Sequence, residues 1–404
     1  MSRAWKTIDQ GPSRRMAGWL YVAAWILIVA SAGSLFLSPA QAQLPADWPM
    51  FGGNPAHTGV NDAETGTPPL ELAWTKPLST GALNPVSVEG ERVFVTGVTY
   101  FGPNSPVWAL NANDASQIWS YNFGSVFSVN PPSVSDGLVY VQMGNHTPAS
   151  RLFAFKSADG TIAWATPYAA QWERYYAPTI ADGKVFVNGG YYGGMYGFEA
   201  AMGDPLFYQG GLGQYDQWTP SFANGVLYSF VEGRLRAHDP NTGDILWTVD
   251  VGWRWDGWSM NTVAVVGDGV AFLVARPKLF AVDLLSQTVL WQRDNSFTGT
   301  PAYSLGVVYV LQSGALQARD AASGDLLWSF VPPDELRYPP VIANGFLYVS
   351  SNTKVHALDL AAQSEVWSDN AGGWLSIANG KLYVARPDGN LNAYKMTISA
   401  APTP

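Results

Sequence analysis

Six tryptophans, Trp119, Trp164, Trp247, Trp291, Trp328 and Trp367, each follow an alanine by ten residues: Ala109, Ala154, Ala237, Ala281, Ala318 and Ala357. A seventh copy carries Gly197 and Phe207 at the same two places, and an eighth starts at Leu391-Asn392-Ala393-Tyr394 without reaching a tryptophan. A second series precedes each copy and has eight members, among them APTIADGKVFV and YPPVIANGFLYV. Each of these is a short apolar run, a glycine turn and an alternating run with an aromatic inside, the pattern of a β-hairpin. The turn glycines are Gly90, Gly137, Gly183, Gly225, Gly269, Gly306, Gly345 and Gly380.

Every unit therefore reads as four strands: an inner strand A, strand B after the glycine turn, strand C with the alanine and strand D with the tryptophan. Self-similar four-stranded units of about 45 residues predict a β-propeller. The expectation is an all-β chain forming an eight-bladed β-propeller of four-stranded antiparallel blades over residues 43–396, followed by a flexible tail at 397–404. The last unit lacks strand D, whereas a spare one, Leu72-Ala73-Trp74, stands at the other end. We expect this N-terminal strand to close the ring, because an open ring leaves unpaired strand edges. Trp74, Trp119, Trp164, Phe207, Trp247, Trp291, Trp328 and Trp367 are then assigned to docking blade against blade.

Residues 1–42 have a different character. Arg3, Lys6, Arg14 and Arg15 precede an uncharged run from Met16 to Leu37, and small residues follow at Ala40 and Ala42. This is the layout of an export signal cleaved after Ala42, with an uncleaved N-terminal anchor as the alternative. Either reading puts the remainder in the periplasm or outside the cell. The net charge of −9 argues against a nucleic-acid partner, and the chain has no cysteine, so disulfides, thiolate metal sites and a lipid-modified cysteine are excluded.

The segment AHDPNTGDILW at 237–247 matches the repeat signature A-x-D-x-x-T-G-x-x-x-W, and ARDAASGDLLW at 318–328 nearly does. These residues resemble the PQQ-like (quinoprotein alcohol dehydrogenase-like) propeller repeat. Ala115, Gln287 and Gln363 replace its turn glycine in three copies. The opening DWPMFGGNPAHTG at 47–59 is similar to the lead-in of secreted members. The resemblance covers nearly all of 47–396 and implies one of two chemistries. The dehydrogenase branch holds PQQ and calcium in the central channel beside a catalytic Asp, often with a vicinal cysteine pair. The BamB-like branch is a non-catalytic envelope scaffold. The missing cysteines and the lack of any spacing that nominates a calcium set disfavour PQQ and calcium, so no cofactor, metal or catalytic residue is assigned.

Loops D–A and B–C share one propeller face, and several are aromatic. The D–A loops supply Trp172, Arg174, Tyr175, Tyr176, Tyr215, Trp218, Trp253, Arg254, Trp255 and Trp258; the B–C loops supply Tyr100, Phe101, Tyr191 and Tyr192. They predict an exposed ring patch near the channel mouth on blades 2–5. Such a patch suits a protein partner, a carbohydrate, or mutual packing of the rings. The first reading is an exported monomeric scaffold for an envelope or extracellular protein. The alternatives are a PQQ-dependent dehydrogenase and a carbohydrate-binding or polysaccharide-lyase propeller. The lyase reading would combine His146 with Arg174 and Tyr175 or Tyr176. His57 is expected to cap a turn in the lead-in, and His238 and His356 to be ordinary blade residues. The acids Asp216, Asp256, Asp334 and Glu335 offer no preferred glycosidase pair. No H-E-x-x-H, G-x-S-x-G or phosphate loop is present.

Overall fold

The computed structural model describes residues 46–398, apart from 80, 147–148, 172–173, 216 and 253–259. Blade 4 shows the unit in its regular form. Strands Ser221–Ala223, Val226–Val231, Arg234–His238 and Ile245–Asp250 pair in that order, each antiparallel to the next. The same A-B-C-D order recurs in blade 1 (87–122), blade 2 (128–167), blade 3 (179–210), blade 5 (265–294), blade 6 (297–330) and blade 7 (338–369). Blade 8 takes strands A to C from Trp374–Ala378, Lys381–Ala385 and Asn390–Thr397, and strand D from Thr67–Pro77. Trp74 stands opposite Ala393 in that closing pair. The described chain is all-β, an eight-bladed propeller closed by its N-terminal strand.

The ten-residue spacing has a direct cause. In each C–D hairpin the alanine and the tryptophan are cross-strand partners: Ala109 faces Trp119, Ala237 faces Trp247, and Ala318 faces Trp328. A bulge follows the alanine every time, twisting the outer strand. The indole then reaches the following blade. Trp119 Nε1 donates to Ser157 O at 2.9 Å, Trp164 Nε1 to Ala200 O at 3.0 Å, Trp291 Nε1 to Ala321 O at 2.9 Å, and Trp74 Nε1 to Ala112 O at 3.0 Å. The ring lies on the turn glycine of that next blade. A Cβ on Gly160 would come within 2.6 Å of the Trp119 ring, and Gly160 has φ +73°. The motif glycine of one blade is therefore the seat for the tryptophan of the blade before it.

The hub is built differently. Strand A ends each sheet, so its inner edge needs partners from elsewhere. The lead-in supplies them. The amides of Val88, Val134, Phe222, Val266, Tyr303 and Ile342 donate to the carbonyls of Trp48, Pro49, Pro55, Ala56, Thr58 and Gly59, all at 2.8–3.0 Å. Val60–Asn61 adds a short parallel strand to blade 7, and Asn379 N in blade 8 donates to Ala46 O. Blade 3 is reached through a side chain. His57 is fully buried; its Nδ1 lies 2.6 Å from Phe51 O, and its Nε2 lies 3.1 Å from Thr179 Oγ1 and 3.0 Å from Pro220 O. It thus caps a turn and also fastens the lead-in to blades 3 and 4. Residues 46–61 touch all eight blades.

Hydroxyls on strand A add direct blade-to-blade bonds. Thr179 Oγ1 donates to Pro220 O at 2.6 Å and Ser376 Oγ to Val86 O at 2.9 Å, with Ser133 bonded to Pro178 and Ser221 to Ala264. Val265, Ala302 and Val341 occupy this position in blades 5–7 and pack as apolar core.

Candidate functional site

Antiparallel hairpins force the D–A and B–C loops onto one face, and that face carries the features that packing alone does not explain. On blades 1–3 five successive loops bring rings together. Tyr100, Phe101 and Phe127 meet edge to face at 5.3–5.9 Å. The Arg174 guanidinium lies 5.9 Å from the Tyr100 ring centre and 5.7 Å from that of Phe127, within cation–π range. Tyr191 and Tyr192 form a second edge-to-face pair at 4.9 Å, with His146 against Tyr191 at 5.7 Å. Tyr100 is 66% exposed and Tyr192 is 75% exposed.

The expected patch differs from the observed one. Tyr175, Tyr176 and Trp218 are buried and contribute no surface. Tyr176 stacks on Phe51 of the lead-in at 4.2 Å and stands edge-on to Trp374, so it belongs to the channel filling. Trp218 packs with Phe186, Met195 and Leu227 between blades 3 and 4, and Tyr175 packs with Met50 and Tyr168. Tyr215 is partly buried against the Trp218 cluster. Trp172, Trp253, Arg254, Trp255 and Trp258 lie outside the described residues, as do Asp216 and Asp256. The described exposed rings thus sit on blades 1–3, mostly on B–C loops.

The lyase set does not assemble. His146 faces Tyr191, while Tyr175 and Tyr176 point into the core. Burial pushes the Tyr176 phenol strongly upward, which disfavours it as a base. One serine and one histidine do meet, Ser229 Oγ and His238 Nε2 at 2.9 Å, but both are buried. His238 Nδ1 lies 2.9 Å from Gly243 O, and burial lowers its pKa to about 4. The pair is a satisfied strut. Asp334 and Glu335 separate as well: Asp334 lies 3.3 Å from the buried His356, and Glu335 pairs with Arg337 at 2.8 Å.

Over the hub lies a pocket of about 460 Å³ on the same face, bordered by Arg276, Glu335, Arg337, Tyr338 and Trp374. Glu335, Arg337 and Tyr338 come from one loop between blades 6 and 7, whereas Arg276 and Trp374 come from separate loops of blades 5 and 8. Only the blade register, which aligns loop positions across repeats, offers a way to find them.

The family described as "Outer membrane protein assembly factor BamB" matches residues 231–336 and 312–398. The outer membrane protein assembly factor BamB of Salmonella typhimurium is 26% identical over 328 residues, which is 74% of this chain and 83% of that protein. The chain is thus similar to BamB-like propellers of the PQQ-like repeat type. The crystal structure of BamB from Moraxella catarrhalis superposes with a TM-score of 0.64 at 18% identity, covering 81% of this chain and all of that one. The quinohemoprotein alcohol dehydrogenase ADHIIG of Pseudomonas putida gives 0.69 at 15% identity, covering 89% and 82%. These two likenesses show the shared fold.

Among the described residues no three His, Asp or Glu side chains converge to hold a metal ion. The hub is filled by Phe51, Tyr176 and Trp374, with Ala177 and Val263 around them. Side chains of the described residues thus occupy the hub.

Proposed function

We propose that the protein is an exported, non-catalytic BamB-like scaffold that holds an envelope protein through the loop face of blades 1–3. One observation carries the reading: exposed rings gather on adjoining loops there, with an arginine between two of them. Tyrosine and arginine at a partly desolvated surface are the usual anchors of protein contacts. The relatives named as outer membrane protein assembly factors support a partner in envelope assembly. The composition of residues 1–42 supports export to the periplasm.

A photo-crosslinking residue at Tyr192, and another at Leu305 in an A–B turn of the opposite face, test the reading in living cells. The expected result is a discrete product with an outer-membrane assembly component from Tyr192 and none from Leu305. Equal products from both faces, or none from Tyr192, would overturn it. A mature chain beginning at Gln43 in the periplasmic fraction checks the export step. A dehydrogenase would instead gain thermal stability from PQQ with calcium and then reduce a dye with an alcohol.

A further inference from the structure

The pocket over the hub lies on the other side of the mouth from the ring patch, and its chemistry is different. Trp374 and Pro339 form its floor, since they also border the small internal void beside His57 and Phe51. Tyr338 stands edge-on to Trp374 at 5.0 Å, and its hydroxyl donates to Asn352 Oδ1 at 3.0 Å. Arg276 and Arg337 stand exposed at the rim. The neutral wall is supplied by Gln217, Asn261, Ser296, Thr298 and Ser313. Asn261 Oδ1 is buried with no hydrogen-bond partner, an acceptor left for a ligand hydroxyl or water. Glu335, the acid bordering the pocket among the described residues, is held in place because Gly314 has no side chain to obstruct its stem.

Three features limit what fits. Among the described residues bordering the pocket, Arg276 and Arg337 outnumber the acid Glu335, which favours an anion. The Arg337–Glu335 pair is more than half exposed on both sides and therefore weak, so a ligand carboxylate can replace Glu335 at the guanidinium. The volume falls in the range of small-molecule sites, roughly 300–1,000 Å³, and a small inorganic anion would leave most of it empty. A wall of amides and hydroxyls over an aromatic floor matches a polyol ring.

We propose that this pocket binds a carboxylated sugar, with Arg337 taking the carboxylate, the amides and hydroxyls taking ring hydroxyls, and Trp374 and Tyr338 supporting the ring. The site gathers its charged residues from blades 5–7, away from Tyr192, and adds a ligand to the scaffold. It would let the protein sense or hold acidic envelope glycan while the blade 1–3 loops hold a protein.

Isothermal titration of the mature protein with an oligogalacturonate, a neutral maltooligosaccharide of equal length and inorganic phosphate tests it. The expected result is binding of the acidic sugar alone, weakened by added salt. Arg337→Ala should weaken it about 10-fold or more, the loss of a charge-assisted hydrogen bond, with unchanged melting temperature and an unchanged Tyr192 crosslink. Arg337→Lys should recover part of the affinity, because charge remains while the fork is lost. Equal binding of the neutral sugar or of phosphate, no binding of the acidic sugar, or an unchanged affinity in Arg337→Ala would each overturn the proposal. The crosslink reports on the partner surface independently, so the two readings fail separately.

Discussion

The rim and the hub of this propeller hold the same eight blades together by opposite means. At the rim one contact is repeated: an indole crosses to the next blade, bonds a carbonyl and rests on a turn glycine. At the hub a strand-A hydroxyl bond recurs in four blades, but the partner of each inner edge does not. Eight inner strand edges require partners, and one aperiodic peptide, residues 46–61, meets them with different residues at each blade. Repetition gives stability that is distributed and tolerant of one lost copy. A single axle gives stability that is concentrated, because each of its residues has no substitute.

The sharpest way to break this contrast is to remove whole elements. Deleting residues 43–61 should cost more than deleting any one rim contact, since it exposes strand edges in all eight blades and empties the hub. We expect the truncated chain to lose cooperative unfolding, read by calorimetry, with early hydrogen exchange at Val134, Phe222 and Ile342. A truncation that melts as sharply as the parent would show that the lead-in is ornamental. Deleting 67–77 instead should open blade 8 first, because only that blade loses a strand.

Single contacts come next. Trp119→Ala should destabilise by about 3–5 kcal/mol, the usual cost of emptying a buried aromatic site. Phe51→Ala should fall in the same range, and the two should add, since they lie in different core clusters. Strong coupling between them in a double-mutant cycle would contradict the separation of rim and hub.

This contrast also decides what the sequence reveals. The Ala109–Trp119 pairing and its copies are periodic, so spacing alone exposes the blades, the order of strands and the closing strand at Trp74. The eight-copy series of strand A hairpins is legible for the same reason. Residues whose role arises once leave no period. Tyr176 meets Phe51 from more than a hundred residues away, and nothing near Tyr176 distinguishes a tyrosine that fills the channel from one that faces solvent. Aromatic loop content therefore mixes core rings with surface rings. Arg276 and Trp374 are a stronger case, because each comes from its own loop, far in sequence from Arg337.

Acid sharpens the comparison from the rim side. His238 faces Gly243 O with Nδ1 and Ser229 Oγ with Nε2, which suits the neutral ring. Burial lowers its folded-state pKa to about 4, below the unfolded value near 6.5. Between those values the unfolded chain binds the extra proton, so stability is full above pH 6.5 and falls as pH drops toward 4. The loss expected from this group is about 3 kcal/mol. His57 is lowered by burial too and adds to the same acid-side loss. His238→Gln should flatten part of the slope in a melting-temperature profile; an unchanged slope would assign it to other groups.

The smallest effect tests the rim motif where it is imperfect. Gln287 and Gln363 occupy the turn position that is glycine in better copies, and both hold that glycine conformation, with φ of +59° and +53°. The backbone geometry has survived the loss of the residue that makes it easy, because the hairpin bonds Gln287 N to Asp283 O and the bulged C–D pairing around it impose it. A side chain in that region costs about 1 kcal/mol relative to glycine. Gln287→Gly and Gln363→Gly should each raise stability by up to about 1 kcal/mol, less the gain in unfolded-chain entropy that glycine brings. Both turns are exposed, so no core contact offsets the change. If either variant is clearly less stable, the glutamine has a packing role against the preceding blade, and the glycine seat is not the general basis of rim docking.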